Sequence, residues 1–305
     1  MEQKEAIRLA KRYIELAVLI ALAVAYGLVT YERNFVWKDD FSLWSDCVGK
    51  SPQKARPHNN LGVVLNEMGF SDRAIFEAKN ALRLHPEHAT SYIVIGNAYL
   101  KKGLTYEAIT QYEEAVRIAP GYAEARLAAA NGYLEKGMTD LAIAEYERAI
   151  SLNPGYFPAH VKLAEAYRSK GLTVETIREL RKALNLVPDD AETHNNLGVV
   201  YAKKGLIDMA IAEFKKSIIF NHRMVEAHLN LASAYSIKGL PEESIGELKR
   251  ALEIEPDNSI AHHKLATAYS GKGLSVDAIK EYKEVLRINP DDTEARERLK
   301  KLTSH

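Results

Sequence analysis

A period of 34 residues limits what this chain can fold into more than any other feature. Glycines stand at Gly69, Gly103, Gly137, Gly171, Gly205, Gly239 and Gly273. Prolines at Pro52, Pro86, Pro120, Pro154, Pro188, Pro256 and Pro290 keep the same step, with His222 in the one vacant slot. Self-similarity at such a step marks a supersecondary unit that buries its apolar face only by stacking on its neighbours. Seven units follow, at residues 55–88, 89–122, 123–156, 157–190, 191–224, 225–258 and 259–292. Length alone would suggest about two globular domains, and the period overrides that expectation.

Inside a unit, apolar residues recur at helical spacing before the glycine, as in Leu61, Val64 and Leu65 or Leu197, Val200 and Tyr201, and again after it. Each unit therefore reads as two helices. Glycine supplies the turn between them, and proline ends the second helix and starts the next unit. The eighth place of each unit is small (Gly62, Gly96, Ala130, Ala164, Gly198, Ala232, Ala266), as close helix approach requires. Three places later stands Leu65, then Tyr99, Tyr133, Tyr167, Tyr201, Tyr235 and Tyr269. Alanines form two further ladders, one from Ala74 and one from Ala81, interrupted by Thr176 and Ser244 and by Ser217 and Val285. Ser217 and His222 make the fifth unit the least regular and the expected softer point.

The unit length, glycine turn, small slots, tyrosine slot and closing proline together resemble the tetratricopeptide repeat family. The resemblance implies an all-α fold: antiparallel helix pairs stacked into a right-handed α-solenoid superhelix that binds extended peptides or partner helices on its concave face. Residues 293–302 begin like an eighth unit but place Lys300 in the small slot, which suits a capping helix within 293–305. Phe41 to Pro52 line up with the second half of a unit, so residues 32–54 read as a junction carrying a half-repeat.

Residues 13–31 form an apolar stretch with a single charge, Glu15. It is long enough for a transmembrane helix, which needs ~20 mostly apolar residues. Tyr13, Tyr26 and Tyr31 suit the interfacial belts. The basic flank 1–12 carries Lys4, Arg8, Lys11 and Arg12, whereas only Arg33 and Lys38 follow closely. That asymmetry puts the N-terminus in the cytoplasm and the repeats outside, the topology of a single-pass protein of a bacterial inner membrane. A cleaved signal peptide is the competing reading, since Ala21-Leu22-Ala23 and Ala23-Val24-Ala25 are small-x-small sites. Apolar character running on to Tyr31 favours an uncleaved anchor. A buried core helix is the third reading, but no nearby sequence offers faces to cover a helix hydrophobic all round.

The run from Arg33-Asn34-Phe35-Val36-Trp37 to Leu43-Trp44, then Lys50-Ser51-Pro52 to Asn60-Leu61-Gly62, carries a second resemblance. It is similar to the place where bacterial polytopic membrane proteins pass into C-terminal repeats, among them relatives of the transmembrane and tetratricopeptide-containing O-mannosyltransferases. Catalytic residues of such enzymes lie in a multi-spanning part this sequence lacks. The resemblance implies extracytoplasmic repeats and no carried-over activity.

Chemistry is scarce. Lys plus Arg equals Asp plus Glu at 41 each, which gives no overall field for nucleic acid. The one cysteine, Cys47, excludes an intrachain disulfide and a Cys-rich zinc site. No phosphate loop, nucleophile elbow or HExxH motif occurs. His58, His160, His194, His228 and His262 share one slot, but zinc ligands must lie within ~4 Å of one another, and equivalent places on stacked helices lie ~8–10 Å apart. The column reads as helix packing. No catalytic residue, cofactor site or metal site is assigned.

The expected working surface is the concave face, formed by the outward edge of each first helix. It carries Arg56, Asn59, Asn60, Asn66, Asn97, Lys101, Asn131, Glu135, Lys162, Glu165, Arg168, Glu192, Asn195, Asn196, Lys203, Asn230 and His263. Asn60, Asn196 and Asn230 share one slot, and Asn97 and Asn131 another; Val94, Ala128, Lys162 and Lys264 break the first. Each amide offers a donor and an acceptor to a partner's main chain. The column resembles the asparagine ladder of O-linked N-acetylglucosamine transferase repeats; the alternative is that these are solvated helix residues of the common Asn-Leu-Gly string. Together these features describe a membrane-anchored, non-catalytic scaffold for a protein or peptide partner. An accessory module of a membrane glycan-assembly enzyme, a self-assembling repeat protein and a catalytic repeat protein are the alternatives.

Overall fold

Each unit turns at its glycine. The computed structural model describes residues 16–27, 30–31 and 37–304, and within it the seven turn glycines have φ between 72° and 86°. A side chain would be strained there. At the first turn Phe70 N–H donates to Leu65 O at 2.8 Å and Gly69 N–H to Asn66 O at 3.1 Å, the pair of bonds that satisfies the last carbonyls of a helix. Two first helices are capped at the other end by a side chain: Asp190 accepts from Thr193 N–H, and Asn258 from Ala261 N–H.

The chain divides into two compact units, the first ending at Glu145 and the second running from Tyr146. In the first lie α1 (described over residues 16–27), α2 (Asp40–Lys50), α3 (Ala55–Glu67), α4 (Ser71–Leu84), α5 (Ala89–Lys101), α6 (Thr105–Ile118) and α7 (Ala123–Glu135). Helix α8 (Thr139–Leu152) contains the division. The second holds α9 (Phe157–Ser169), α10 (Thr173–Leu186), α11 (Ala191–Lys203), α12 (Ile207–Phe220), α13 (Val225–Ile237), α14 (Pro241–Ile254), α15 (Ser259–Gly271), α16 (Ser275–Ile288) and α17 (Thr293–Thr303). No strand occurs among the described residues.

Packing explains the small slots. A Cβ on Gly96 would sit 2.4 Å from the Tyr112 ring, and one on Gly198 would sit 2.6 Å from the Phe214 ring. Tyr112 and Phe214 are almost fully buried, and burying a side chain such as Phe214 contributes about 1.5–3 kcal/mol. Glycine in the facing helix is what admits rings of this size. The tyrosine slot reaches back to the preceding unit: the Tyr133 hydroxyl donates to Glu113 at 2.6 Å, and the Tyr167 hydroxyl to Glu147 at 2.7 Å.

Both ends of the array are covered. Phe41, Trp44 and Val48 of α2 pack on the core around Leu61 and Leu65. Leu299 and Leu302 of α17 pack beside Tyr282, Val285 and Ala295, while Lys300 is exposed. The irregular fifth unit closes normally, with buried Ser217 donating to Met224 Sδ at 3.3 Å.

The expected transmembrane helix is the one part of the fold class without support. No helix among the described residues is long and apolar enough to cross a membrane. The expected span 13–31 lies partly outside those residues, as do the basic flank 1–12 and residues 28–29 and 32–36. The stretch 16–27 is helical, apolar throughout and exposed at every position, Leu19 at 63% and Tyr26 at 79%. It is not the buried core helix that formed the third reading.

Candidate functional site

The histidine column turns out to be a set of latches. His160, buried at the start of α9, has Nδ1 2.8 Å from Glu179 Oε2 on α10 and Nε2 3.1 Å from Pro154 O in the turn that ends the preceding helix. His58 bridges Glu77 and Pro52 O in the same way, His194 bridges Glu213 and Pro188 O, and His262 bridges Glu281 and Pro256 O. His228 reaches Glu247 at 2.7 Å and the carbonyl of His222 at 3.2 Å. A backbone carbonyl is all the latch uses at that position, so the loss of proline there costs it nothing. Arg126 does the same work with a different head, donating to Pro120 O at 3.0 Å and to Glu145 at 2.8 Å.

At His228 both ring nitrogens face acceptors, so the protonated imidazolium is the form that fills both bonds. The hydrogen bond to Glu247 accordingly raises the pKa of His228. Burial alone would push the Glu179 carboxyl up, but hydrogen bonds from His160 and Lys182 outweigh it and hold it below its ordinary value. Burial, helped by the hydrogen bond to Glu147, lifts the Tyr167 phenol to about 12. These shifts belong to bonds between helices. Among the described residues no group of three or more His, Cys, Asp or Glu is placed to hold a metal ion.

The glutamates were not singled out in the sequence, although a signal existed. Each latch histidine has Glu exactly nineteen residues on, and the unit with Tyr92 in the histidine slot has Gln111 in the glutamate slot.

The residues expected on the concave face divide into three groups. Asn59 and Asn195 are buried and bond to neighbouring first helices, whereas Asn66 is buried with its side-chain oxygen unpartnered among the described residues. Asn59 Oδ1 accepts from Ser91 at 2.9 Å, and its Nδ2 donates to Asn60 at 3.2 Å. Asn230 donates to Asn195 at 3.0 Å, and Lys101 Nζ to the backbone carbonyl of Asn66 at 2.6 Å. Asn97 accepts from the Tyr112 hydroxyl at 2.7 Å. Much of the amide column therefore spends its hydrogen bonds inside the protein. In a second group, Arg56 and Glu135 are exposed, Asn131 is half-buried in α7, and His263 stands beside the Tyr282 ring, 5.7 Å between centroids.

The third group converges. In the second unit Lys162, Glu165, Arg168, Glu192 and Asn196 line one cavity of about 430 Å³ between α9, α10 and α11. Its floor is apolar or small, from Phe157, Pro158, Val161, Ala164, Leu180 and Val200, none of which was anticipated as a site residue. Lys162 pairs with Glu165 at 2.8 Å across its rim. A contiguous pocket of about 210 Å³ joins Arg168 to Lys203 and Lys204. An apolar floor with a few convergent polar groups at the rim is the form of a binding cleft.

Sequence profiles of the tetratricopeptide repeat match residues 59–123, 130–171, 165–205, 225–258 and 260–292. The chain belongs to the tetratricopeptide repeat family. Proteins of this fold typically bind other proteins or peptides and are typically non-enzymatic. Among curated proteins it is similar to the protein O-mannosyl-transferase Tmtc3 of Drosophila melanogaster, 26% identical over 83 residues, which is 27% of this chain and 9% of that protein. It is likewise similar to the protein O-mannosyl-transferase TMTC1 of Homo sapiens, 29% identical over 77 residues, 25% of this chain and 9% of that one. The chain thus spans about a tenth of the length of these relatives. Among solved structures, the APC/C hetero-tetramer Cut9–Hcn1 matches with a TM-score of 0.64 at 22% identity, over 86% of this chain and 52% of that one. The pilF protein of Pseudomonas aeruginosa matches at 0.61 and 20% identity, over 70% and 96%. These structures share the fold.

Proposed function

We propose that this tetratricopeptide-repeat protein is a membrane-anchored, non-catalytic scaffold that holds a protein or peptide partner against its first helices close to the membrane surface. The cavity between α9, α10 and α11 carries the proposal. Five of the residues expected to face a partner line it together, above an apolar floor suited to an anchoring side chain. The seven turn glycines, the latches and the buried rings hold the array without drawing on these groups. Arg56, Asn60, Asn131, Glu135, Asn230 and His263 extend the proposed surface along other first helices, each as a shallow contact.

Anchoring rests on the exposed apolar run 16–27 and the basic flank before it. A helix hydrophobic all round that is exposed at every described position needs a cover, and lipid is the cover its composition suits. The repeats would then lie on the side opposite the flank. A second reading, an accessory module of a membrane glycan-assembly enzyme, is compatible with the two O-mannosyl-transferase relatives without being favoured by them, since each matches over about a quarter of this chain.

Both readings meet in one experiment: a mild-detergent pull-down of the full-length chain from its own membranes, beside a variant lacking residues 1–31 and beside Val161→Asp. The scaffold reading expects a partner that survives loss of neither the segment nor the cavity floor. Co-purification of a polytopic transferase would select the second reading. Recovery of the chain alone would put self-assembly ahead of both.

A further inference from the structure

The lysines that follow the first helices from α5 onward make a ladder, and the ladder has one broken rung. Lys102 pairs with Asp72 at 2.5 Å and Lys238 with Asp208 at 2.5 Å, in each case reaching thirty residues back to the first turn of the preceding second helix. Lys272 pairs with Glu242 in the same slots. Lys136 finds Tyr106 there instead and lies over its ring, 3.5 Å from the centroid. At the junction of α10 and α11 the slot holds Val174, exposed at 64%, and Lys204 has neither an acid nor a ring to meet. Among the described residues its neighbour Lys203 and the Arg168 guanidinium make no ion pair or side-chain hydrogen bond either. All three line the pocket of about 210 Å³, with Gly171, Thr173, Thr176 and Val200 completing the wall and no carboxylate among the lining residues.

Three cations gathered around one pocket repel one another, and none of them is offset by an ion pair among the described residues. The neighbouring carboxylates do not fill the role: Glu165 is held by Lys162, and Glu192 lines the adjoining cavity but not this one. Arg168, Thr176 and Val200 belong to both cavities, so an occupant can pass from the apolar floor straight into the basic corner.

We infer that Arg168, Lys203 and Lys204 bind a carboxylate-rich segment of a protein partner, whose adjoining apolar residue enters the cavity floored by Phe157, Val161 and Leu180. The inference deepens the scaffold reading and rests on it. A peptide fits better than a membrane, since the cations line a pocket that shares Arg168, Thr176 and Val200 with the cavity floored by apolar residues.

The test uses full-length protein and a fluorescein-labelled hexaglutamate peptide, with hexaglutamine as the uncharged control, read by anisotropy. Hexaglutamate should bind at low salt and weaken as salt rises toward ~0.15 M, where the screening length falls to about 8 Å. Lys203→Gln/Lys204→Gln should weaken it about tenfold, and Lys102→Gln, which removes an already paired charge, by less than about twofold. Val174→Asp supplies the missing rung and should weaken binding about threefold while leaving the circular dichroism unchanged. Equal binding by all variants, or none by the wild type, would overturn the inference. Capture by phosphatidylserine vesicles, dependent on Lys203 and Lys204, without hexaglutamate binding would replace the peptide by a membrane surface and overturn it too. A partner retained in the membrane pull-down without hexaglutamate binding sinks this inference alone. Hexaglutamate binding with no partner recovered sinks the scaffold reading instead.

Discussion

The latch at His160 can be broken in a way whose energy the structure bounds. His160 and Glu179 are each about 4% exposed at the side chain, and the imidazole spends both nitrogens on the latch. Orphaning a buried charge costs about 3–5 kcal/mol, but Glu179 keeps Lys182 at 3.0 Å and Arg178 at 3.3 Å on its other oxygen. We therefore expect His160→Tyr to cost about 2–3 kcal/mol and Glu179→Gln about 1–2 kcal/mol, the worth of one charge-assisted bond. The double change recreates the Tyr92 and Gln111 pair that the second repeat already carries, and both single changes break the same contact. Its cost should fall short of the sum by about 1–2 kcal/mol. A repeat array need not unfold in one step, so the assay is hydrogen exchange of α9 and α10 in the full-length protein. A loss of 2 kcal/mol there reads as roughly a 30-fold fall in protection. Strictly additive costs, or a loss spread evenly over all helices, would refute the latch.

Three further outcomes follow from the same geometry. Gly198→Ala gains up to ~1 kcal/mol of helix propensity but drives a methyl into the buried Phe214 ring, and overpacking at ~1–3 kcal/mol should win, lowering the thermal midpoint. Gly171→Ala puts a side chain on a backbone with φ of 72° and should cost ~1 kcal/mol, seen as faster exchange at the start of α10. The raised pKa of His228 makes its stabilisation fully present below its ordinary value near 6.5 and lost as pH climbs through the folded value. Denaturant midpoints measured from about pH 6 to pH 8 should therefore fall for the wild type and stay flatter for His228→Gln; equal slopes would contradict the assignment.

The repeat, its helix pairs and its turns were legible because they rest on local rules. A positive-φ turn selects glycine, a facing ring selects a small residue, and both recur every 34 residues. The histidines were legible as helix packing rather than ligands, since stacking distance rules out a shared metal. Their glutamate partners were less visible, for they lie nineteen residues away on the second helix, and the helix-turn-helix geometry must be known before that spacing means contact. The proposed binding face was legible only in part. Slot counting placed Lys162, Glu165, Arg168, Glu192 and Asn196 on one edge, and they share a cavity. It could not tell that Asn59 and Asn195, in an equivalent outward slot, would turn their amides to neighbouring helices. The cavity floor from Phe157, Val161 and Leu180 also escaped it, because apolar residues at helical spacing look the same whether a partner or the core covers them.

The central claim is that a partner protein occupies the cavity between α9, α10 and α11. It is tested most directly by placing a photo-crosslinking amino acid at Asn196 in the cavity and, separately, at Val276 on the exposed side of α16, in the full-length protein in its own membranes. The account predicts one discrete adduct from position 196 that disappears with Val161→Asp and none from position 276. Adducts of equal yield from both positions, or from position 276 alone, would contradict it.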